Sequence, residues 1–496
     1  MSDRRKAYTV LAMNTIAFTV CFAVWMMYGV LITFLVSQRI YAFDKAQLGW
    51  LIGTPVLTGA VFRLPVGVLT DKYGGRIVYA IVMLIAAAGA FLVSLVDGFW
   101  GFFWAGLLFG IAGTSFAVGI AYTSVWFPQH QQGTALGIFG AGNAGAAITS
   151  LGAPTLLKVL TDHGEHLDGW RQLPRIYAAA LVVTTVAFWL FTYPKKVAHG
   201  HELTLAERLR PLKKARVWRF GMYYFFVFGG FVALAQWLIP YYVNVYTVSV
   251  AMAGLLASIY TLPSGVIRAL GGWMSDKWGA RRVMYWVLGG SAVCSFLLIV
   301  PRMDVYAPGE GVLADAPGTV TEVAPDHITV DGKVYRLRTK PADQGRAEEG
   351  TLVWPKGRSW QEPAVKVGDR VVKKQLLARG VTHVYFQANI WIFTALVFVI
   401  GILMGIGKAA VYKHIPTYFP KDVGVVGGIV GVLGGLGGFV CPILFGYLLR
   451  WTGIWTTCWM FFFALSVGLL VWMHHVIRKM LAEKAPALSE QMDRPV

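Results

Sequence analysis

The sequence predicts an all-α polytopic membrane protein, and three observations support that prediction: little charge, a high apolar content and long apolar runs. Of the 496 residues, 14% are charged and 56% are hydrophobic, and the mean hydropathy is +0.58. Soluble globular proteins carry roughly 25% charged residues, so most of this surface is not expected to face water. A soluble enzyme, a disordered chain and a fibrous protein are therefore excluded, and a membrane barrel is disfavoured because barrel strands are short and alternating.

Twelve apolar runs have the length that a membrane-spanning helix needs, which is about 20 residues. They fall into two sets of six, at about 9–37, 47–70, 77–96, 101–126, 134–157 and 175–193, then 217–247, 250–275, 283–301, 386–412, 424–448 and 453–477. The first run is longer than the core of a signal peptide, so we expect it to be a retained helix.

The connections between the predicted helices are strongly asymmetric in charge. Basic residues concentrate at the N-terminus and after helices 2, 6, 8 and 12, at Arg4, Arg5, Lys6, Lys72, Arg76, Lys195, Lys196, Arg208, Arg210, Lys213, Lys214, Arg216, Lys277, Arg281, Arg282, Arg478 and Lys479. Because cytoplasmic loops are enriched in lysine and arginine, both termini are predicted to lie in the cytoplasm, and the chain in the cell inner membrane. The formal charge of +19 is then a signal of topology, and no nucleic-acid partner is predicted.

The pattern along the chain predicts six consecutive segments. They are an N-terminal six-helix bundle (1–193), a basic cytoplasmic linker (194–216), helices 7–9 of a C-terminal bundle (217–302), an extracytoplasmic β-rich insertion (303–385), helices 10–12 (386–478) and a cytoplasmic tail (479–496).

The insertion has the pattern of a small β-module. Alternating residues predict strands over Gly318–Val323 and on both sides of Asp331 and Gly332, a pair typical of hairpin turns. Its end, 365–378, resembles the strand-turn-strand of biotinyl and lipoyl domains over one motif only, and no cofactor is predicted. The partner of the insertion is unknown. The four cysteines of the chain have neither paired nor metal-binding spacing, so neither a disulfide nor a metal site is predicted.

One stretch of predicted helix 2 recurs in predicted helix 8. In both copies, eight residues separate the first arginine from the aspartate, and five separate the aspartate from the second arginine. The matching positions are Arg63, Gly67, Asp71 and Arg76 in the first copy and Arg268, Gly272, Asp276 and Arg281 in the second. The shared G-x-x-x-D-K-x-G-x-R pattern resembles the cytoplasmic signature of the major facilitator superfamily, which implies two pseudo-symmetric six-helix halves. Its glycine permits close helix contact, and its charges are expected to latch one conformational state.

Arg63 and Arg268 are predicted to lie deep in the membrane. Each precedes its cytoplasmic aspartate by eight residues, which is about 12 Å along a helix. A charge at that depth costs at least ~2.5–3.5 kcal/mol, so such arginines are expected to face a cavity and to need a partner. The interiors of the apolar runs contain no carboxylate. We therefore expect an anion from solution as the partner, and the planar guanidinium favours a small planar oxyanion.

Two glycine-rich stretches, in predicted helices 5 and 11, resemble the paired signatures of the nitrate/nitrite porter family of that superfamily. Their glycines are Gly133, Gly137, Gly140, Gly142, Gly145, Gly427, Gly428, Gly431, Gly434 and Gly435. The resemblance covers essentially the whole chain except 303–385, which the family does not require. Glycines at these spacings are suited to close, sliding helix contact.

The resemblance implies a set of residues that line the anion site: Arg63 and Arg268 as the nitrate-binding pair, Tyr224 as a hydrogen-bonding phenol, Phe228 and Phe116 as aromatic walls, and Asn143 as a polar group. From the residues alone, Tyr224 and Phe228 share a helix face, which is more often a packing stripe. Asn143 fits a bridge between helices equally well.

The coupling ion stays open at this stage. The spacing in helix 5 is similar to the branch associated with proton-coupled nitrate uptake, yet no intramembrane carboxylate is present to carry a proton. Lys408 and His414 are the nearest titratable candidates. We expect Lys408 to snorkel to the cytoplasmic interface and His414 to lie in a loop.

The sequence thus predicts a secondary transporter, not an enzyme, that moves nitrate and nitrite across the bilayer by alternating access. Both nitrate/proton symport and nitrate/nitrite exchange are open, as are an assimilatory and a respiratory setting. One alternative is a transporter of another small anion, such as an organic acid. A second is a sensor or docking protein that acts through residues 303–385. A membrane-embedded enzyme comes last, because the bundle offers no general base with an orienting partner.

Overall fold

The computed structural model describes residues 3–195, 210–299, 303–340, 356–386, 388–419 and 423–484. The predicted linker (194–216) and the predicted tail (479–496) therefore lie partly outside the described residues. Contacts divide the chain into a helical unit, Met1–Ile299 with Thr394–Val496, and a β unit, Val300–Phe393.

Helices form at all twelve apolar runs. In chain order they are α1 (Asp3–Trp25 and Met27–Ser37), α2 (Lys45–Val61 and Arg63–Tyr73), α3 (Gly75–Val93), α4 (Gly98–Phe109 and Ser115–Trp126), α5 (Gln129–Gly140 and Gly145–Leu160), α6 (Gln172–Phe191), α7 (Ala215–Tyr224 and Gly230–Val245), α8 (Val250–Val266 and Arg268–Trp278), α9 (Ala280–Leu297), α10 (Ile390–Tyr418), α11 (Val423–Thr452) and α12 (Thr457–Lys484).

Among the described residues, nine of these helical segments are long and apolar enough to cross a membrane, and α8 makes ten if its bent halves count as one span. The two that fall short are α5 and α9. Arg281 and Arg282 lower the hydropathy of α9, and glycines with Asn143 lower that of α5. Both lie beside longer apolar helices, α9 against α12 and α5 against α8, so their weaker apolar character is compatible with a place in the bundle.

Six of the helices are interrupted near their middles. In α2 the break falls between Val61 and Arg63, because Pro65 lacks an N–H group and its ring clashes with the Val61 carbonyl. In α7 the interruption is a single π-helical turn, Phe225–Gly229, and α8 bends by 48° at its break. Irregular helix at membrane depth is tolerated only where protein or an aqueous cavity surrounds it, so these breaks mark the interior of the bundle.

The two halves pack tightly at one end of the bundle. Here residues 44–53, at the start of α2, contact residues 439–450 of α11, and we call this region the closed end. A Cβ atom added at Gly49 would collide with the Pro442 carbonyl oxygen. Asp44 and Arg450 form an ion pair of 3.5 Å across the same contact. Around the pseudo-symmetry axis, Gly254 of α8 lies equally close to the backbone of α5. Only glycine allows such approach of two helix backbones.

The other end, which we call the open end, contains Gly67 of α2, Gly137 of α5 and Gly272 of α8. A Cβ atom added at any of these three glycines would meet no atom within 4 Å. The close glycine contacts of the closed end therefore have no counterpart at these three positions.

The β unit is a two-sheet module with its own core. Its strands are β1 (Met303–Leu313), β2 (Gly318–Val323), β3 (His327–Val330), β4 (Lys333–Arg336), β5 (Lys356–Pro363), β6 (Arg370–Val371) and β7 (Leu376–Phe386). They form antiparallel sheets in the orders β1-β7-β5 and β4-β3-β2-β6, around buried side chains that include Ile328 and Leu377. The predicted hairpin turn is confirmed, because Asp331 and Gly332 have φ angles of 45° and 85°.

The packing at the closed end predicts opposite effects of the same substitution at two helical glycines. Gly49→Ala places a methyl group against the Pro442 backbone and should destabilise the protein by about 1–3 kcal/mol. Gly468→Ala in α12, where nothing lies within 4 Å, should raise stability by up to about 1 kcal/mol because alanine favours helix. The melting temperatures of the purified proteins in detergent compare them, and equal shifts in both variants would contradict the close contact.

Candidate functional site

The two predicted arginines occupy equivalent places in the helical unit. Each begins the second piece of a broken helix, Arg63 in α2 and Arg268 in α8. Arg63 is 4% exposed, and its guanidinium donates to two backbone carbonyls, Gly113 of α4 at 3.3 Å and Gly431 of α11 at 2.8 Å. Arg268 is half-buried and makes no hydrogen bond within the described part of the chain. A guanidinium has five N–H donors, so both arginines keep donors for a ligand.

One aromatic ring joins the two guanidinium groups. The guanidinium carbons of Arg63 and Arg268 each lie 5.5 Å from the centre of the Phe116 ring, so they are within twice that distance of each other. The Phe228 ring is 5.1 Å from Arg63 and stacks on Phe116 at 6.4 Å. The structure therefore brings four of the six predicted site residues together at mid-helix.

Neither arginine has an acidic partner among the described residues. The contacts of Arg63 are neutral carbonyls and aromatic faces, and those of Arg268 are aromatic faces alone. Carbonyl dipoles and ring quadrupoles attract a cation but cancel no charge. Two like charges remain in a region of low dielectric, where their repulsion is strong. The local field favours a negatively charged ligand.

Signature glycines leave the space that the arginines occupy. A Cβ atom on Gly140 of α5 would lie 3.6 Å from the Arg268 guanidinium, and one on Gly435 of α11 would lie 3.5 Å from that of Arg63. In both places an arginine of one half meets a glycine of the other half. Side chains at these positions would narrow the space between the halves next to the two guanidinium groups.

The remaining signature glycines lie against different neighbours. Gly431 lies beside Arg63 and Tyr412, and Gly434 beside the Tyr224 ring. Gly142 and Gly145 pack against α1, Gly427 and Gly428 face Tyr412 and Leu64, and Gly137 faces open space. Gly133 lies in the first turns of α5.

Tyr224 and Phe228 share a face, as their spacing suggested. Their rings stack at 5.0 Å with an interplanar angle of 6°, across the π-helical turn of α7. Tyr412 of α10 packs edge-on against Tyr224 at 4.9 Å. The Tyr224 hydroxyl is buried and has no hydrogen-bond partner of good geometry among the described residues, whereas the Tyr412 hydroxyl donates to Gly427. An unpaired buried hydroxyl is costly, and an anion beside it would accept a hydrogen bond from it.

Asn143 lies in the 3₁₀ turn that interrupts α5, and its side chain is fully buried. Neither its amide nitrogen nor its oxygen has a hydrogen-bond partner among the described residues. An amide that bridged two helices would have at least one such partner. Its geometry fits a group that binds a ligand or water.

The predicted latch residues lie at the open end, where Arg76, Asp276 and Arg281 each contact a residue of their own half. Asp276 forms an ion pair with Lys413 of α10. Arg281 donates to the Tyr418 hydroxyl at 3.2 Å. In the first half Arg76 donates to the Trp189 carbonyl of α6. Gly67 and Gly272 face open space, and Asp71 lies in the last turns of α2.

Two expectations about titratable residues are wrong. Lys408 does not snorkel: its side chain is 0% exposed, in the core of the helical unit. The small residues around it in α10 allow neighbouring helices to pack over the amine. His414 does not lie in a loop, because α10 continues to Tyr418 and the imidazole stacks on Phe220 at 5.4 Å.

Sequence reasoning also missed Trp25 and Tyr412. The Trp25 ring lies 5.8 Å from the Arg63 guanidinium, and the Tyr412 ring lies 5.5 Å from that of Arg268. Trp25 stands next to the break in α1, and Tyr412 one turn from Lys408. One available signal was the intramembrane lysine itself, since a charge in an apolar helix indicates a functional surface.

The family comparison agrees with the sequence and the fold. The family model described as Major Facilitator Superfamily matches residues 15–312. The chain is 38% identical over 502 residues to the probable nitrate/nitrite antiporter NarK1 of Thermus thermophilus, covering 99% of this chain and 98% of that protein. It is 23% identical to the nitrite extrusion protein of Bacillus subtilis, covering 94% of each.

Solved structures share the fold at low sequence identity. A bacterial homologue of the human lysosomal transporter Spinster, inward-facing and occupied, matches with a TM-score of 0.61 at 14% identity, covering 96% of this chain and 98% of that one. The nucleoside transporter NupG matches with a TM-score of 0.59 at 13% identity, covering 96% and 99%. With its repeat, its paired glycine stretches and its whole-length relatives, the chain belongs to the nitrate/nitrite porter family of the Major Facilitator Superfamily.

Proposed function

We propose that the protein is a secondary transporter that carries nitrate and nitrite through the bilayer by alternating access. The observation that supports this most directly is the pair of guanidinium groups on one aromatic ring, with no acidic partner among the described residues. Nitrate and nitrite are small planar anions, and their oxygens suit the planar donor fork of arginine. The relatives named above are a nitrate/nitrite antiporter and a nitrite extrusion protein.

The site suits an anion of that size and shape. The described residues that surround the arginines are aromatic rings and glycines. The Tyr224 hydroxyl, on the ring that stacks on Phe228, has no hydrogen-bond partner of good geometry among the described residues. Aromatic faces on either side favour a flat ligand. A larger organic acid would need further polar groups for its remaining surface. The contacts of the two arginines among the described residues are carbonyls, aromatic rings and glycines, which suit binding of an anion, and the proposal is accordingly a transporter.

The distribution of charge supports an orientation in the inner membrane. The open end carries Lys72, Arg76, Lys277, Arg281 and Arg282 in its short connections. The positive-inside rule assigns such connections to the cytoplasm. Both termini then lie inside, the β unit lies outside, and the structure represents the inward-facing state with its closed end outward.

Alternating access follows from the contacts that cross between the halves. The hydrogen bond from Arg63 to Gly431 and the approach of Arg268 to Gly140 join opposite halves at the anion site. When the closed end parts and the open end closes, the glycine stretches slide past these arginines. A bound anion would hold both guanidinium groups through this exchange, because each belongs to a different half.

Flux into proteoliposomes of the purified protein tests the function. We expect external nitrate to enter in exchange for internal nitrite or with a proton gradient. Formate and acetate should be far poorer substrates. Entry of an organic acid without nitrate flux would contradict the substrate assignment, and the same liposomes without protein give the background.

Removing either guanidinium should abolish binding of nitrate. Arg63→Gln or Arg268→Gln removes one of the two positive charges that are proposed to hold the anion. We expect the free energy of nitrate binding to weaken by about 3–5 kcal/mol, which is more than 100-fold in affinity. Isothermal titration calorimetry of the purified variants measures this. Arg175→Gln in α6, whose guanidinium binds Ser94, is the matched control and should bind nitrate normally. Normal affinity in either site variant would contradict the clamp.

Tyr224 should matter for affinity and not for stability. Tyr224→Phe removes a hydroxyl that has no partner of good geometry, so the melting temperature should be unchanged while nitrate affinity falls by about 1.5 kcal/mol, roughly tenfold. Tyr28→Phe is the matched control, because the Tyr28 hydroxyl donates to the Phe102 carbonyl at 2.7 Å. It should lower the melting temperature and leave affinity unchanged. A packing role for Tyr224 would leave both quantities unchanged.

The β unit is expected to be dispensable for transport. Its first and last strands pair from Met303 with Phe386, so its two ends are adjacent and a short linker can replace it. We expect the excised protein to retain nitrate flux within about twofold in proteoliposomes. Complete loss of flux in a variant that still binds nitrate would instead favour a sensor or docking role that acts through this unit.

A further inference from the structure

The buried amine of Lys408 lies close to the anion site and has no part in the clamp. Lys408 lies in α10 one helical turn before Tyr412, and its side chain is 0% exposed. Its Nζ atom is 3.1 Å from the Ser264 hydroxyl and 3.4 Å from the Ser264 carbonyl oxygen of α8. It also lies 3.2 Å from the centre of the Phe231 ring of α7.

We propose that Lys408 carries a proton that is bound and released together with the transported anion. The inference rests on the proposed function and specifies its coupling. It starts from a geometric fact: an amine is enclosed by three helices, within electrostatic reach of a guanidinium, without a carboxylate partner in the described part of the chain.

The surroundings of Lys408 contain a single other charge among the described residues. The helices that pack around this part of α10 present Ser264 and Arg268 from α8, Phe231 from α7 and Val287 from α9. On α10 itself the nearest titratable neighbour is Tyr412, one turn along. Arg268 is therefore the charge that acts on the amine, and it repels an ammonium ion.

The three contacts of Nζ satisfy the amine in either protonation state. As an ammonium ion it donates to the Ser264 hydroxyl oxygen, to the Ser264 carbonyl and to the Phe231 face. As a neutral amine it donates to the carbonyl and the ring, and its lone pair accepts a hydrogen bond from the Ser264 hydroxyl. A serine hydroxyl can rotate between these roles, so the proton can arrive and leave without a rearrangement of the helices.

Occupancy of the anion site determines which protonation state of Lys408 is more stable. With the site empty, an ammonium ion here would be desolvated, uncompensated and next to Arg268, at a cost of several kcal/mol. An anion held by Arg63 and Arg268 supplies the missing negative charge beside Arg268. Occupancy of the site therefore favours the proton on Lys408, and departure of the anion expels it. By reciprocity, a protonated Lys408 strengthens anion binding.

The cycle balances in atoms and charge. A hydronium ion on the outer side gives its proton to the lone pair of Nζ and leaves water, as nitrate enters the clamp. After the halves rock, nitrate leaves to the cytoplasm, the N–H bond breaks, and the proton passes to water there. One nitrate and one proton cross together, so the moving load has no net charge. Uptake is then driven by a pH gradient and is insensitive to the membrane potential.

Proton counting during nitrate binding tests the proposal. Nitrate is titrated into the purified full-length protein by calorimetry at neutral pH, in buffers of different ionisation enthalpy. We expect the wild-type protein to take up about one proton per nitrate and Lys408→Met to take up none while still binding nitrate. Lys158→Met, at an exposed lysine of α5, is the control and should take up about one. The same proton uptake in Lys408→Met as in wild type, or none in wild type, would overturn the proposal.

Flux measurements distinguish failure of this proposal from failure of the transport function. If Lys408→Met does not fold, Lys408→Gln replaces it. In proteoliposomes we expect either variant to keep nitrate/nitrite exchange and to lose uptake driven by a pH gradient. Wild-type net nitrate uptake, measured without internal nitrite, that ignores the pH gradient would overturn the coupling and leave the transport function intact. Wild-type protein that binds and moves no nitrate would overturn both.

Discussion

Two like charges at the middle of the helical unit, one buried and one half-buried, are the constraint around which this unit is organised. Arg63 and Arg268 would repel each other strongly at low dielectric, and no acid among the described residues relieves them. The carbonyls and aromatic rings around the arginines attract their positive charge, and the nearby Tyr224 hydroxyl can donate a hydrogen bond to an anion. The unit is thereby prepared for an anion before any anion arrives, so little reorganisation is needed on binding.

The break in α4 serves the same constraint. Arg63 donates one hydrogen bond to the Gly113 carbonyl, which lies in the 3₁₀ turn of α4, where the regular ladder is interrupted. It donates a second to the Gly431 carbonyl of the continuous helix α11, because a carbonyl oxygen has two lone pairs. Glycines next to both guanidinium groups keep the opposing half close without blocking them. The polar contacts of Arg63 thus come from one interrupted and one regular helix, and the glycines supply the sliding surface.

Much of this was predictable from the sequence, and the reasons are physical. The membrane spans follow from the lengths of the apolar runs, and the repeat and the depth of its arginines follow from residue offsets along the chain. Both features depend only on local geometry. The β hairpin followed from Asp331 and Gly332 for the same reason. The burial of Lys408 was not predictable in that way, because it depends on which side of α10 is covered by α7 and α8. His414 was misplaced because the end of a helix depends on neighbours such as Phe220. Tyr412 became visible only as the ring that links Tyr224 to Arg268.

The central claim is that the two guanidinium groups bind one anion jointly, and a double-mutant cycle on nitrate affinity tests it most directly. Nitrate dissociation constants are measured for the wild type, Arg63→Gln, Arg268→Gln and the double variant by calorimetry. The account predicts strong non-additivity, with each single variant losing nearly as much affinity as the double variant. Additive losses would contradict it, because they would mean that each arginine binds, or supports, a separate site.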